Sequence, residues 1–436
     1  MLFSNIALLT PGQPSREGMF VATKGGKIAF VGERRPEGNF GEEYDGRGKL
    51  LIPGLVNGHC HVPMTLVRGY GTGLPLQEWL NTYMFPYEDQ IHPQDAYWGA
   101  MLGIAEMLRG GVTSFSEQYM FADSICQAVV ESGIKCNFSR SLVCFDDDTY
   151  LESDRRQEAI RNCETYQNAA DGRLKVEFAA HGEYTTTEKC IRDIVELAHR
   201  YQTGVQIHLS ETKKEHEECK GRRQGRTPTQ YLRDCGFFDL PALAAHGVWL
   251  EEGDLEILAE KGVGIAYNPT SNMKLGSGFA PVRRMLDKGI CVGLGTDGAG
   301  SNNNLNMLEE AHLGLLIQSG HTGNCQELAA EEMLAMATVH GARNQRREDC
   351  GRVEEGFRAD LAVLDLDRPH LTPLHDLTNQ LFYAAQASDV VLTMVDGRVL
   401  YRDGRLTTID LERVLYEARR ANWDVLARLA AARQQG

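Results

Sequence analysis

The sequence predicts an α/β protein: a (β/α)8 TIM-type barrel with a small β-sandwich domain built from both chain ends. Three observations lead there. Through the middle of the chain, apolar strand-like runs alternate with helical stretches, the pattern that buries a parallel sheet and, repeated eight times, closes a barrel. Short strands punctuated by glycine turns fill the first fifty residues, and the same texture returns from Ala359 onward. At 436 residues the chain also exceeds a lone barrel, which reaches about 250.

At the N-terminal end, Asn5–Leu9, Gly18–Thr23, Lys27–Val31 and Lys49–Ile52 read as strands separated by Gly-Gly, Gly-Glu and Gly-Arg-Gly. Downstream, Ala359–Asp365, Val390–Val395 and Arg398–Tyr401 match them, with Asp396-Gly397 as a hairpin turn. Isolated hairpins are marginal in water, so the two ends are expected to pair into one domain. Residues 1–54 and 345–409 then form the composite β domain, 55–344 the barrel, and 410–436 a C-terminal helix. Barrel strands are expected at Val176–Ala180, Gly204–Leu209, Ala242–His246, Gly264–Tyr267 and Cys291–Gly295. Helices at Ala96–Arg109, Cys190–His199, Asp254–Glu260 and Val282–Lys288 separate them. The stretch Asp410–Ala432 reads as a charged amphipathic packing helix with Asp410 as N-cap.

Composition narrows the function. Hydrophobic residues make up 42% and charged residues 24%, as in ordinary globular proteins. A net charge of -15 gives no footprint for a polyanion, which excludes nucleic acid as a partner while leaving a nucleoside or base open. No apolar run reaches the about 18 residues of a membrane span. The N-terminal segment MLFSNIALLTPGQPSREG lacks a basic region and breaks at Pro11-Gly12, so no signal peptide is expected. Its 11 cysteines are scattered without a Cys-x-x-Cys pair, which fits a reduced cytoplasmic protein. The sequence leaves a homo-oligomer open.

The chemistry concentrates at strand ends. In PGLVNGHCH, an apolar strand runs into His59 and His61. Side chains two apart on a strand share a face, so both imidazoles can clasp a divalent ion while Cys60 points away. An exposed loop pair is the alternative. The strand VQIHL ends in His208, and Glu211 follows as a carboxyl able to carry protons; by itself it also reads as a solvated loop residue. Asp297 closes CVGLGTD, where it is either a site residue or half of an Asp-Gly turn. His181 and His246 close two further strands, positions where a satisfied core histidine is common. The conjunction decides: five of 13 histidines and one aspartate collect on the barrel face where active sites sit, which structural residues have no reason to do.

The motifs PGLVNGHCHVPMTLVRG, HLSET, NPTSNMKLG and GTDGAGSNNNLNM resemble those of amidohydrolase-superfamily deaminases, and the 5-methylthioadenosine/S-adenosylhomocysteine deaminase family most closely. The resemblance spans nearly the whole chain. It implies that His59, His61, His208 and Asp297 hold one divalent ion, Zn²⁺ or Fe²⁺, with Glu211 as proton shuttle and His246 at the attacking water. It also implies that His181 meets a purine ring nitrogen and that Glu88 accepts ribose hydroxyls. Arg140 would face a carboxylate tail, and Ser301 would line the substrate site. A second tail-binding arginine is not evident, because the matching stretch is the acidic run Asp146–Asp148 with Glu152; Arg155 or Arg156 would have to supply it. Uncharged 5′ tails are therefore expected to be preferred. Binuclear relatives place a modified lysine at the end of the fourth strand, whereas here Lys175 lies at the opposite end, which points to one ion. The implied reaction is hydrolytic loss of ammonia from an adenine nucleoside. Two rivals are hydrolysis of another amino- or chloro-substituted ring, of guanine, pterin or triazine type, and a scaffold with a dead barrel. Glu211 beside a full ligand set argues against the scaffold, since metal storage needs no proton shuttle.

Overall fold

Eight parallel strands form the centre of the molecule, seen in a computed structural model that describes residues 1–150 and 153–435. In chain order they are β1 (Leu55–Cys60), β2 (Val112–Tyr119), β3 (Lys135–Leu142), β4 (Leu174–Gly182), β5 (Val205–Leu209), β6 (Ala242–His246), β7 (Gly264–Tyr267) and β8 (Val292–Leu294). Each pairs with the next in sequence. The seam between β1 and β8 closes through the Asp297 N–H, which donates to the His59 carbonyl at 2.9 Å. Asn57 adds two side-chain bonds to Thr296, at 2.7 and 3.0 Å. A Cβ on Gly295 would lie 2.8 Å from the His59 nitrogen, so this close approach requires glycine.

Strands β2 and β3 carry no apolar run in the sequence, yet every residue of both is buried. Several of their polar side chains are hydrogen-bonded: Gln345 donates to Ser116 Oγ at 3.1 Å, and Asn137 to the Gln345 carbonyl at 3.0 Å. A hydrogen-bonded polar interior hides a strand from hydrophobic periodicity.

The two chain ends pair in one mixed nine-stranded sheet. The junction is the antiparallel ladder between Lys49–Pro53 and Leu361–Asp365, with Leu51 opposite Val363. Alternation along these strands serves two cores. Leu51, Leu361 and Val363 join Phe3, Ile6 and Met394 in a core of the sheet's own, whereas Leu50, Ile52, Ala362 and Leu364 pack into the main core beside the barrel. The closing helix, Leu411–Gln435, starts where Asp410 accepts the Arg413 N–H at 3.1 Å. It buries Val414, Ala418, Ala421, Val425 and Leu429, one stripe of a 3.6-residue period, against helix Pro93–Arg109. Among the described residues, no helix is long and apolar enough to cross a membrane.

Candidate metal centre and substrate cavity

At the C-terminal mouth of the barrel, the strand ends bring the histidines and Asp297 together. His61 Nε2 lies 3.3 Å from His208 Nε2 and 3.2 Å from Asp297 Oδ1, and His59 Nε2 lies 3.5 Å from the same oxygen. A tetrahedron of metal–nitrogen bonds of about 2.0–2.1 Å has edges of about 3.3–3.4 Å, so the donor set fits one ion the size of Zn²⁺. Tautomers agree with that reading. The His61 Nδ1–H donates to the Gln118 carbonyl at 2.7 Å and the His208 Nδ1–H to the His181 carbonyl at 2.6 Å, which leaves both Nε2 lone pairs turned to the centre. His59 Nε2 is buried with no hydrogen-bond partner. Burial holds His59 down to about 4 and His208 well below the ordinary histidine range, which keeps both rings in the neutral form that binds metals. Cys60 is buried in the main core, as its strand direction required.

Glu211 and His246 complete the mouth. Glu211 Oε2 lies 3.8 Å from His246 Nε2, and its Oε1 accepts the Ser277 hydroxyl at 3.4 Å. Burial pushes the Glu211 carboxyl up from the ordinary carboxylate range, and His246 opposes the shift. His246 Nδ1 bonds Asn272 Oδ1 at 2.9 Å, so its Nε2 faces Glu211 as an acceptor. Three residues at the strand ends, Ser210, His246 and Asp297, have φ of 48°, 74° and 59°. Left-handed backbone at side-chain-bearing residues is strained, and such strain persists where surrounding structure enforces it, typically at functional sites.

A cavity of about 470 Å³ opens above these groups, a size suited to a small organic ligand. His181, Glu88, Arg140, Arg155 and Ser301 line it. His181 is anchored through Nδ1 to Thr185 at 3.0 Å. Glu88 accepts the Tyr119 hydroxyl at 2.6 Å, and burial raises its carboxyl. Arg140 is partly committed, with Nε on Glu158 at 2.6 Å. Of the two alternative arginines, Arg156 is bound through two of its nitrogens to Asp193 at 2.8 Å, whereas Arg155 lines the cavity and, among the described residues, donates to the Val143 carbonyl at 3.5 Å. Glu152 and the side chain of Asp148 lie outside the described residues. Ser301 does more than line the cavity: its hydroxyl donates to Asp297 Oδ2 at 2.8 Å, beside a second donor, Ser271, at 2.6 Å.

Ser271, Asn272 and Gln118 hold the site's side chains in place, and residue-by-residue reading of the sequence gave them no role. Ser271 and Asn272 sit inside NPTSNMKLG, so the motif was visible without its geometry. Gln118 acts through its backbone carbonyl, which no residue type can signal. Lys175 donates to the Arg346 carbonyl at 2.6 Å at the opposite end of the barrel and takes no part in the centre.

Fold and mouth together define a barrel hydrolase of the metal-assisted class. The amidohydrolase family profile matches residues 50–400, and the chain belongs to that family. It is similar to the 5-methylthioadenosine/S-adenosylhomocysteine deaminase of Thermoanaerobacter pseudethanolicus, 39% identical over 98% of this chain and 100% of that one. It is also similar to the 5′-deoxyadenosine deaminase of Methanosarcina acetivorans, 41% identical over 94% of each chain. Among solved structures, an adenosine deaminase from Xanthomonas campestris with bound zinc superposes with a TM-score of 0.90 and 29% identity, covering 98% of both chains.

Proposed function

We propose that the protein is a metal-dependent deaminase of 5′-modified adenine nucleosides, releasing ammonia and leaving the inosine analogue. The convergence of His59, His61, His208 and Asp297 beneath a cavity that also holds Glu211 carries this reading, and the names of the relatives direct it to adenine nucleosides. A single Zn²⁺ would be held by those four side chains, with Fe²⁺ as the other ion the set accepts. When bound, such an ion lowers the pKa of a water it holds from 15.7 towards about 7.

The chain's own groups supply the rest. Glu211 takes one proton from the attacking water and passes it to the purine ring nitrogen, then relays the second, from the hydroxyl now on the ring carbon, to the amino group, which leaves as ammonia while the carbon keeps the oxygen as a carbonyl. His246 orients that water through the Nε2 that faces Glu211. His181 meets the ring, Glu88 accepts the ribose hydroxyls, and Ser301 fixes Asp297 at the substrate's edge. Arg140 and Arg155 face the 5′ tail.

An assay of ammonia release from methylthioadenosine, 5′-deoxyadenosine and S-adenosylhomocysteine tests this. Turnover of at least one is expected. Inactivity on all three, with ammonia or chloride released from another substituted ring, would move the assignment to that chemistry. We place the protein in the cytoplasm, a reading supported by eleven free cysteines. Tyr416 and Trp423, exposed together on the C-terminal helix, support a homo-oligomer, which light scattering would test.

A further inference from the structure

Glu215 is a buried carboxyl in the first turn of helix Lys213–Arg222, behind Glu211 and outside the cavity wall. Each of its oxygens accepts one main-chain N–H: Oε1 from Ser210 at 3.0 Å and Oε2 from Glu211 at 2.8 Å. Thr212 caps the helix by accepting the Glu215 N–H at 3.1 Å. In an ordinary Thr-x-x-Glu capping box the glutamate returns to the N–H of the cap residue. Here it also reaches the two amides before the cap.

Those amides belong to the turn that carries the chain out of β5. Ser210 sits at φ 48°, a region that residues bearing a Cβ seldom occupy. Its carbonyl is pinned as well, accepting from Trp249 at 2.9 Å and Val248 at 3.2 Å. Its hydroxyl is buried with no partner, so the side chain contributes nothing to holding the turn. The Glu211 carboxyl is itself loosely held, by contacts of 3.4 Å to Ser277 and 3.8 Å to His246. Its location is therefore set by its main chain, and the amides of that main chain are fixed by Glu215.

We propose that Glu215 is a positioning residue, whose two carboxyl oxygens lock the Ser210–Glu211 turn so that the Glu211 carboxyl faces the reacting atoms. The proposal rests on reading Glu211 as the proton carrier. Two acceptor oxygens, one per amide, are what a carboxylate offers and a carboxamide cannot, since one end of glutamine is a donor. Glu215→Gln thus removes one of the two bonds at nearly constant shape.

The test compares wild-type and Glu215→Gln holoenzyme for kcat and KM on methylthioadenosine, bound metal per chain, and hydrogen exchange of the peptide spanning 208–212. The expected result is a kcat lower by about ten- to a hundredfold, the scale of a misplaced catalytic group, with KM and metal content unchanged and exchange faster. Adding Ser210→Gly should recover much of the loss, because glycine enters the left-handed region without a side-chain clash. A kcat within about twofold of wild type, or a loss of kcat that tracks loss of metal, overturns the proposal. If wild-type protein turns over no adenine nucleoside, the deaminase reading fails, and the exchange data alone decide: unchanged exchange in Glu215→Gln then overturns the role of Glu215.

Discussion

The two ends of the barrel both bury charge, and they treat it in opposite ways. At the N-terminal end, charges are paired with opposite charges or hydrogen-bonded to carbonyl and amide oxygens. Lys135 Nζ contacts Asp360 and lies 2.8 Å from Asp396, joining the barrel to the sheet formed by the chain ends. Glu177 binds Arg346 at 2.9 Å and Gln206 at 2.8 Å, and Arg347 donates to Asn137 and to the Gly172 and Arg173 carbonyls. At the C-terminal mouth, four ligand atoms crowd together, His59 Nε2 has no partner, and Glu211 is held only by long contacts. Matched charge fixes geometry; unmatched donors create affinity for a cation and a carboxyl free to change protonation. One barrel thus keeps stability and chemistry at opposite ends.

The sharpest way to break that contrast is to remove a ligand. Asp297→Ala or His208→Ala should lose both metal and turnover, to background, because each leaves the ligand set incomplete. Metal analysis beside an ammonia assay checks it, and retained activity with bound metal would remove that residue from the centre. Glu211→Gln should separate the two properties, keeping about one ion per chain while turnover drops by about 10²–10⁴-fold.

At the opposite end the expectation inverts. Lys135→Met leaves Asp360 buried without its cation, while Asp396 keeps Arg358 at 3.4 Å, so denaturant unfolding should show a loss of about 3–5 kcal/mol. Turnover per folded molecule should stay unchanged, and a normal stability would deny the matched end its structural role.

A smaller effect concerns the 5′ tail. Arg140 shares its guanidinium with Glu158, whereas Arg155 lines the cavity and makes no ion pair among the described residues, so a carboxylate tail is expected to meet Arg155. Methylthioadenosine and 5′-deoxyadenosine should exceed S-adenosylhomocysteine in kcat/KM. Arg155→Ala should widen the gap by about ten- to a hundredfold, the loss of one charge-assisted contact. Equal effects on all three substrates would detach Arg155 from the tail.

The smallest expected effect is a pH dependence of stability. Burial lowers the Lys135 ammonium, but Asp360 and Asp396 outweigh it and hold its pKa above the ordinary lysine value of 10.5. A folded pKa above the unfolded one gives stability that is complete below the unfolded value and disappears as pH rises through the folded one. Melting temperature should therefore fall above about pH 10.5 in the wild type and less steeply in Lys135→Met.

The sequence by itself determined the barrel, the pairing of the two chain ends, and the strand-end positions of His59, His61, His208, His246 and Asp297. Those follow from local signals: apolar runs of strand length, glycine turns, and histidines spaced two apart. Strands β2 and β3 escaped because they bury polar side chains, several of them hydrogen-bonded within the fold, where hydrophobic periodicity does not apply. Tertiary structure alone decided the rest. It closed the seam through Gly295, turned three imidazole lone pairs with carbonyl and amide oxygens, put Arg155 at the cavity and Arg156 on Asp193, and set Glu215 behind Glu211. Each of those outcomes depends on where a main-chain N–H or carbonyl lies in space. Every residue carries both groups, so no residue type announces which of them will meet.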